Sequence, residues 1–248
     1  MTEQVQSNWD WGFFLEPAPF GDTTYLGWLW TGVQFTIAFA CCSWIIAFVV
    51  GSLFGILRTV PSRVLNFIGS AYVALFRNVP LLVQFIVWIE VLPDLFPEFI
   101  QDWNYDNPIL SSFILGSLCL GLFTGARITV QVEAAIKALP IGQRGAALAL
   151  GLTLPQTYRF VLLPRAYRLV LPPMTSEMLN MIKNSAVASI VGIHELASQA
   201  TIIQQNAERS YESFIAVTLA YVTINIVVMQ LMNLLEKRVR LPSGARGV

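Results

Sequence analysis

From Thr23 to Leu57 the chain runs without a single charged residue. At about 1.5 Å of rise per residue, a helix of that length exceeds the roughly 30 Å hydrocarbon core of a bilayer. The physical solution is a transmembrane helix that tilts or protrudes. Four further windows follow: Leu65 to Glu90, interrupted by Arg77 and Pro80; Asn107 to Ala126; Leu169 to Ile193; and the uncharged Phe214 to Leu235. Leu169 to Ile193 is the most polar, with Pro172-Pro173, Glu177, Asn180, Lys183 and Asn184. A proline inside a helix removes one backbone hydrogen bond, so the second segment is expected to kink near Pro80. The pattern predicts an all-α membrane protein with about five transmembrane helices. Composition agrees, since 12% charged residues is about half the ~25% of a soluble domain.

Orientation follows from the cations, because positively charged short loops stay cytoplasmic. Eleven of the 15 Lys and Arg residues fall on one side: Arg58 and Arg63, then Lys137, Arg144, Arg159, Arg165 and Arg168, then Lys237, Arg238, Arg240 and Arg246. Arg209 alone falls on the other, and Arg77, Arg127 and Lys183 lie within or at the ends of apolar segments. The N-terminus is therefore expected outside and the C-terminus inside. Trp9, Trp11, Trp28, Trp30, Trp88 and Trp103 fall near the expected outer boundary, as an aromatic belt does. Residues 1–22 hold four acids, Glu3, Asp10, Glu16 and Asp22, and no cation. That is the opposite of a signal peptide's basic start, so the first apolar segment is expected to be retained.

Several classes of function lose support. Acids and bases balance at 15 each, which leaves no electrostatic footprint for nucleic acid. Cys41, Cys42 and Cys119 sit in apolar runs without metal-ligand spacing and read as buried small hydrophobes. His194 is the sole histidine, beside Glu195 at an expected outer helix end, and reads as structural. No catalytic triad, metal set or GxxxxGK[ST] phosphate loop is present in the sequence. Gly51 and Gly55 form a GxxxG pair compatible with close helix packing.

The inside connection 131–168 reads as two short helices rather than a linker. Pro140 and Gly142 precede a helix over Gln143 to Leu150, Gly151 stands where a helix ends with positive φ, and Pro155 opens the next. Exposed Arg144, Arg159 and Arg165 would suit a cytoplasmic partner; a solvated loop is the plain alternative.

This same connection carries a resemblance. Gln143-Arg144-Gly145-Ala146-Ala147, then Gly151, then Val161-Leu162-Leu163-Pro164 is similar in spacing to the EAA loop of ABC importer permeases, with Gly145 in place of the usual Glu. Phe76 to Gln84 and Lys183-Asn184-Ser185-Ala186-Val187 resemble stretches of the polar amino-acid permeases. Trp9 to Gly21 and Arg240-Leu241-Pro242 are similar to the glutamate/aspartate branch. Val130 and Glu133 stand where relatives carry Glu and Arg, so an ion pair there is expected to be rearranged.

The resemblance implies a type I, MetI-like permease fold with a periplasmic segment 1–22, a transmembrane domain 23–236 and a cytoplasmic tail 237–248, in the bacterial inner membrane. It implies a transport subunit and not an enzyme. Partners would be two cytoplasmic ATPase subunits, which use ATP and Mg, a second homologous permease and a periplasmic amino-acid-binding protein. Coupling would run through Gln143, Arg144, Gly145, Ala146, Ala147, Gly151, Leu163 and Pro164. The chain itself is expected to hold no cofactor or metal.

Ionisable residues within lipid are costly by about 3 kcal/mol or more and mark candidate sites. Arg127 closes the third segment, with Thr124 and Gln131 on its helical face, and a guanidinium fork suits a substrate carboxylate. A snorkelling or ion-paired arginine is the competing reading. Glu177, Asn180 and Asn184 share one sector of the fourth segment and could line a pathway or bond across an interface between permeases. Arg77 could contact substrate or bond carbonyls freed at the Pro80 kink. Glutamate or aspartate is the expected cargo, with a neutral or basic amino acid, or a channel or scaffold role, as alternatives.

Overall fold

Three helices set the length of the fold: α1 (Tyr25–Leu57), α5 (Pro108–Lys137) and α10 (Ser210–Val239). The structure is a computed structural model and describes residues 9–239, so Glu3, Arg240, Arg246 and the Arg240-Leu241-Pro242 match lie outside the described residues. Between the long helices come α2 (Arg63–Asn78), α3 (Leu81–Ile86), α4 (Glu98–Asp106), α6 (Ile141–Ala149), α7 (Leu154–Thr157), α8 (Leu163–Ser185) and α9 (Leu196–Ala207). Three helices are long and apolar enough to cross a membrane, and five spans result if each of two bent pairs counts as one.

The first bent pair corrects the expected kink. α2 and the segment from Leu81 to Val91 meet at 101°, not as one kinked helix. The cause is local. Proline disfavours helical backbone in the residue before it, and Val79 is extended at φ −98°, ψ 129°, with Pro80 becoming the N-cap of α3. Carbonyls freed at this break are bonded by Gln84, whose Nε2 donates to Phe76 O at 3.0 Å and Val79 O at 2.8 Å. Gln84, and not the exposed Arg77, therefore does the work expected at the break.

The second pair runs from Leu154 to Val191 and then, after a 46° bend, through α9. Within it a π-turn at Tyr158–Leu162 precedes α8, accommodating Pro164, which has no N–H to donate. The bend falls at Gly192, left-handed at φ 80°, after which the Glu195 side chain caps α9 by accepting from Ser198 N at 3.0 Å. His194 and Glu195 thus lie inside a broken span, at the level of Thr36 of α1. His194 also lines a pocket with Pro108 and Ile109, the first residues of α5, so its expected place at that helix end stands. Glu195 is completely buried and also accepts a hydrogen bond from Tyr221 Oη.

Packing is closest between α1 and α5. A Cβ on Gly51 would stand 2.7 Å from Gly125 O and from Ile128, one on Gly55 2.7 Å from Val132, and one on Gly121 2.7 Å from Ile46. Both helices therefore present glycines at four-residue spacing, and the backbones touch as small-residue packing allows. Buried side chains form three tiers: Phe13, Tyr25, Leu196 and Ile203; then Phe39, Phe85, Leu120 and Met181; then Ile128, Val132, Leu162 and Met174. Cys119 is buried in the middle tier, whereas Cys41 and Cys42 are exposed on α1. The expectation that all three are buried fails for that pair, because an apolar face toward lipid needs no cover.

The two ends sort as the charge asymmetry predicts. Arg58, Lys137 and Arg144 line one cleft. At the other end Trp9 packs on Trp11 and Tyr211, and Asp10 pairs with Arg209 at 3.7 Å.

Candidate functional site

Charged residues inside the spans are not scattered. α5 carries Arg127 and Gln131 one turn apart, and α8 brings Glu177 against both. Gln131 Nε2 donates to Glu177 Oε1 at 2.9 Å, while Arg127 Nη1 lies 3.8 Å from Glu177 Oε2. The first is a hydrogen bond; the second is an ion pair too long for one. The guanidinium is placed instead by the face of Phe123, 5.0 Å from its carbon to the ring centroid, a cation–π distance. Arg127 keeps 40% of its side chain exposed and Glu177 13%. Arg77, at the end of α2, is exposed and forms no ion pair among the described residues.

This arrangement joins residues that the sequence could only place on separate faces. Arg127 is ion-paired, as one reading expected, yet its hydrogen-bonding capacity is unspent among the described residues. Asn180 and Asn184 are half-buried further along α8. Thr124 does not join them, being 2% exposed against neighbouring helices. Lys183 is exposed and belongs to none of the ion pairs among the described residues.

At the end opposite Trp9 and Tyr211, α5 continues past Ala126 to Lys137, so the loop proper is shorter than 131–168. The extension is stabilised by Glu133, which bonds Lys137 Nζ at 2.6 Å and pairs with Arg58 Nε at 3.0 Å. Glu133, where a rearranged ion pair was expected, thus pairs with two cations. α6 follows Pro140 and ends at Gly151 with φ 84°, where Leu152 N donates back to Ala147 O at 3.2 Å. Thr153 and Gln156 then form a capping box for α7.

Along α6 the exposed face is apolar: Ile141 is 93% exposed and Leu148 43%, with Leu150 at its C-cap 83%. Ala146 and Gly145 lie exposed, and Gln143 and Arg144 are half-buried. Ala147 is only 4% exposed and packs inward, so it supports the loop instead of offering a contact. Leu163 is half-buried and Pro164 exposed at the start of α8. Gly145 has nothing within 4 Å of where a Cβ would stand. Among the described residues no group of three or more His, Cys, Asp or Glu is placed to hold a metal ion.

Known proteins resemble this chain over nearly its whole length. Residues 47–241 match the family described as binding-protein-dependent transport system inner membrane component. The glutamate/aspartate import permease protein GltJ of Escherichia coli K12 is 57% identical over 242 residues, 97% of this chain and 98% of that protein. A probable glutamine ABC transporter permease, GlnM of Bacillus subtilis, is 30% identical over 192 residues, 77% of this chain and 84% of its own. Among solved structures, an amino acid ABC transporter crystallised with histidines matches with a TM-score of 0.71 and 26% identity, covering 86% of this chain and 95% of that one. The MetNI methionine transporter in an inward-facing form shares the fold, with a TM-score of 0.69 at 21% identity over 87% of this chain and 98% of its own.

Proposed function

The chain belongs to the family of binding-protein-dependent transport system inner membrane components, and from that premise we propose that it is the permease subunit of an ATP-driven importer of glutamate and aspartate. The observation that carries the cargo is Arg127, a guanidinium with unspent donors inside a membrane span, in a chain 57% identical to a glutamate/aspartate permease. A buried acid alone would suit a basic substrate. Here Glu177 is paired with Arg127, whose guanidinium keeps donors free for a carboxylate.

Energy enters from outside this chain. One of two ATPase subunits, which carry ATP and Mg, docks on α6, and a second homologous permease completes the pathway. A periplasmic binding protein delivers the amino acid. The apolar face of Ile141, Leu148 and Leu150 supports docking, because exposed apolar side chains beyond the membrane mark a partner surface. With Gly145 at the usual Glu position, that contact rests on packing more than on charge.

The test is purification from the native membrane in mild detergent, with co-purifying chains identified by mass spectrometry, before and after Leu148→Asp. An ABC ATPase and a second permease are expected with the wild type, and the variant should lose the ATPase only. Recovery of this chain alone from both would contradict the importer reading.

A further inference from the structure

We propose that the cleft where the ends of α1 and α5 meet α6 binds an anionic phosphate group, and that at this height the group is the headgroup of an anionic phospholipid. The inference does not depend on the cargo.

The cleft has a volume of about 400 Å³ and takes one cation from each of these helices: Arg58, the C-cap of α1; Lys137, the last residue of α5; and Arg144 of α6. Its lining holds no Asp or Glu. In the sequence no acid occurs between Asp22 and Glu90 or between Glu133 and Glu177. Among the described residues only Glu133 pairs with these cations, meeting Arg58 Nε at 3.0 Å and Lys137 Nζ at 2.6 Å. Three positive charges against one acid leave a surplus of two. The C-terminal dipoles of α1 and α5, about half a charge each, offset one of them. What remains is the complement of a single phosphodiester.

Arg58 is fixed before a ligand arrives. Its stem lies against Gly69 of α2, where a Cβ would stand 2.6 Å from Arg58 Cγ, and its Nε is held by Glu133. Its Nη1 is buried without a hydrogen-bond partner among the described residues, a donor that is costly until an acceptor reaches it. The polar groups beside it are already engaged. Tyr158 Oη donates to Thr59 Oγ1 at 3.1 Å, Thr59 Oγ1 to Ile56 O at 2.8 Å, and Asn66 Nδ2 to Arg58 O at 2.8 Å. Ile136, Leu139 and Leu162 make the rest of the wall apolar. Cations beside apolar side chains suit an amphiphile better than a hydrated ion. Arg58 and Lys137 also stand where two membrane-crossing helices end, the level at which basic pockets between spans meet anionic headgroups. A phosphate held there ties α6 to α1 and α5.

The test is native mass spectrometry of the complex, purified from its membrane, stripped of lipid in mild detergent and titrated with phosphatidylglycerol, phosphatidylcholine or inorganic phosphate. Wild type should retain phosphatidylglycerol about 10-fold or more tightly than phosphatidylcholine, the scale of one hydrogen bond to a charged group. Inorganic phosphate at the same concentration should not displace it. Arg144→Gln and Lys137→Gln should each remove most of that preference, and Arg144→Lys should keep part of it. Arg168→Gln deletes an exposed cation outside the cleft and should leave the preference unchanged. Arg58 is kept in every variant, so Glu133 never loses both partners. Equal retention of the two lipids by wild type, or a loss in Arg168→Gln as large as in the cleft variants, would overturn the site. Displacement by equimolar inorganic phosphate would overturn the lipid assignment in favour of phosphate in solution.

Discussion

Replacing Gly51 with alanine pits two opposite effects against each other. Alanine is favoured over glycine in a helix interior by about 1 kcal/mol, so on propensity alone the variant gains. Its methyl, however, would stand 2.7 Å from Gly125 O and from Ile128. That carbonyl cannot swing aside, because it belongs to the α5 backbone and also accepts Thr129 Oγ1 at 2.9 Å. Relief requires α5 to move off α1, loosening the tier around Ala47, Ile128 and Val132. Overpacking of this kind costs about 1–3 kcal/mol, which outweighs the propensity gain over most of that range. Gly145→Ala supplies the control, since nothing lies within 4 Å of its added methyl and only the gain remains. Melting of the detergent-purified complex, followed by size-exclusion chromatography after heating, separates them. At about 2–4 °C per kcal/mol for a chain of this size, Gly51→Ala should melt a few degrees below wild type and Gly145→Ala no lower than wild type. A Gly51→Ala protein as stable as the Gly145→Ala protein would refute the close-contact reasoning.

Other perturbations probe other parts of the fold. Gln84→Leu strips the donors from Phe76 O and Val79 O and should cost about 1–3 kcal/mol per carbonyl left dry, read as a lower midpoint in the same melting assay. Tyr221→Phe leaves one oxygen of the buried Glu195 without its donor; it should destabilise by about 1–3 kcal/mol, and Glu195→Gln in the same chain should recover part of the loss. Ala147→Asp places a charge at a buried position of the loop and should lower the stability of the permease itself. Leu148→Asp, on the exposed face, should leave the melting point unchanged and release only the ATPase. Gly145→Glu has nothing within 4 Å of its Cβ and should strengthen retention of the ATPase at low salt, the gain fading in a high-salt wash.

Much of the fold was legible because lipid writes simple rules into a sequence. Charge-free windows located the spans, and the cation asymmetry sorted the ends, as the Arg58–Lys137–Arg144 cleft and the Trp9–Tyr211 packing bear out. Helix limits were less legible where charges pair: α5 runs on to Lys137, with Glu133 pairing with both Arg58 and Lys137, and a search for uncharged windows stops short of that. Pro80 signalled a break, but its angle depended on Val79 becoming extended and on Gln84 reaching back to the freed carbonyls. The buried Glu195–Tyr221 contact was hidden because its partners are 26 residues apart. Arg127 stood out from its depth, whereas its contact with Glu177 across 50 residues needed the fold. Ala147 shows the limit of a motif: spacing gives register, not which side chain faces outward.

The central claim is tested most directly by reconstituting the complex in liposomes with ATP inside and the periplasmic binding protein outside, and measuring uptake of labelled glutamate against unlabelled competitors. ATP-dependent uptake competed by aspartate, but not by glutamine or arginine, and lost in Arg127→Gln is the predicted result. Uptake that prefers a neutral or basic amino acid, or that survives Arg127→Gln unchanged, would contradict it.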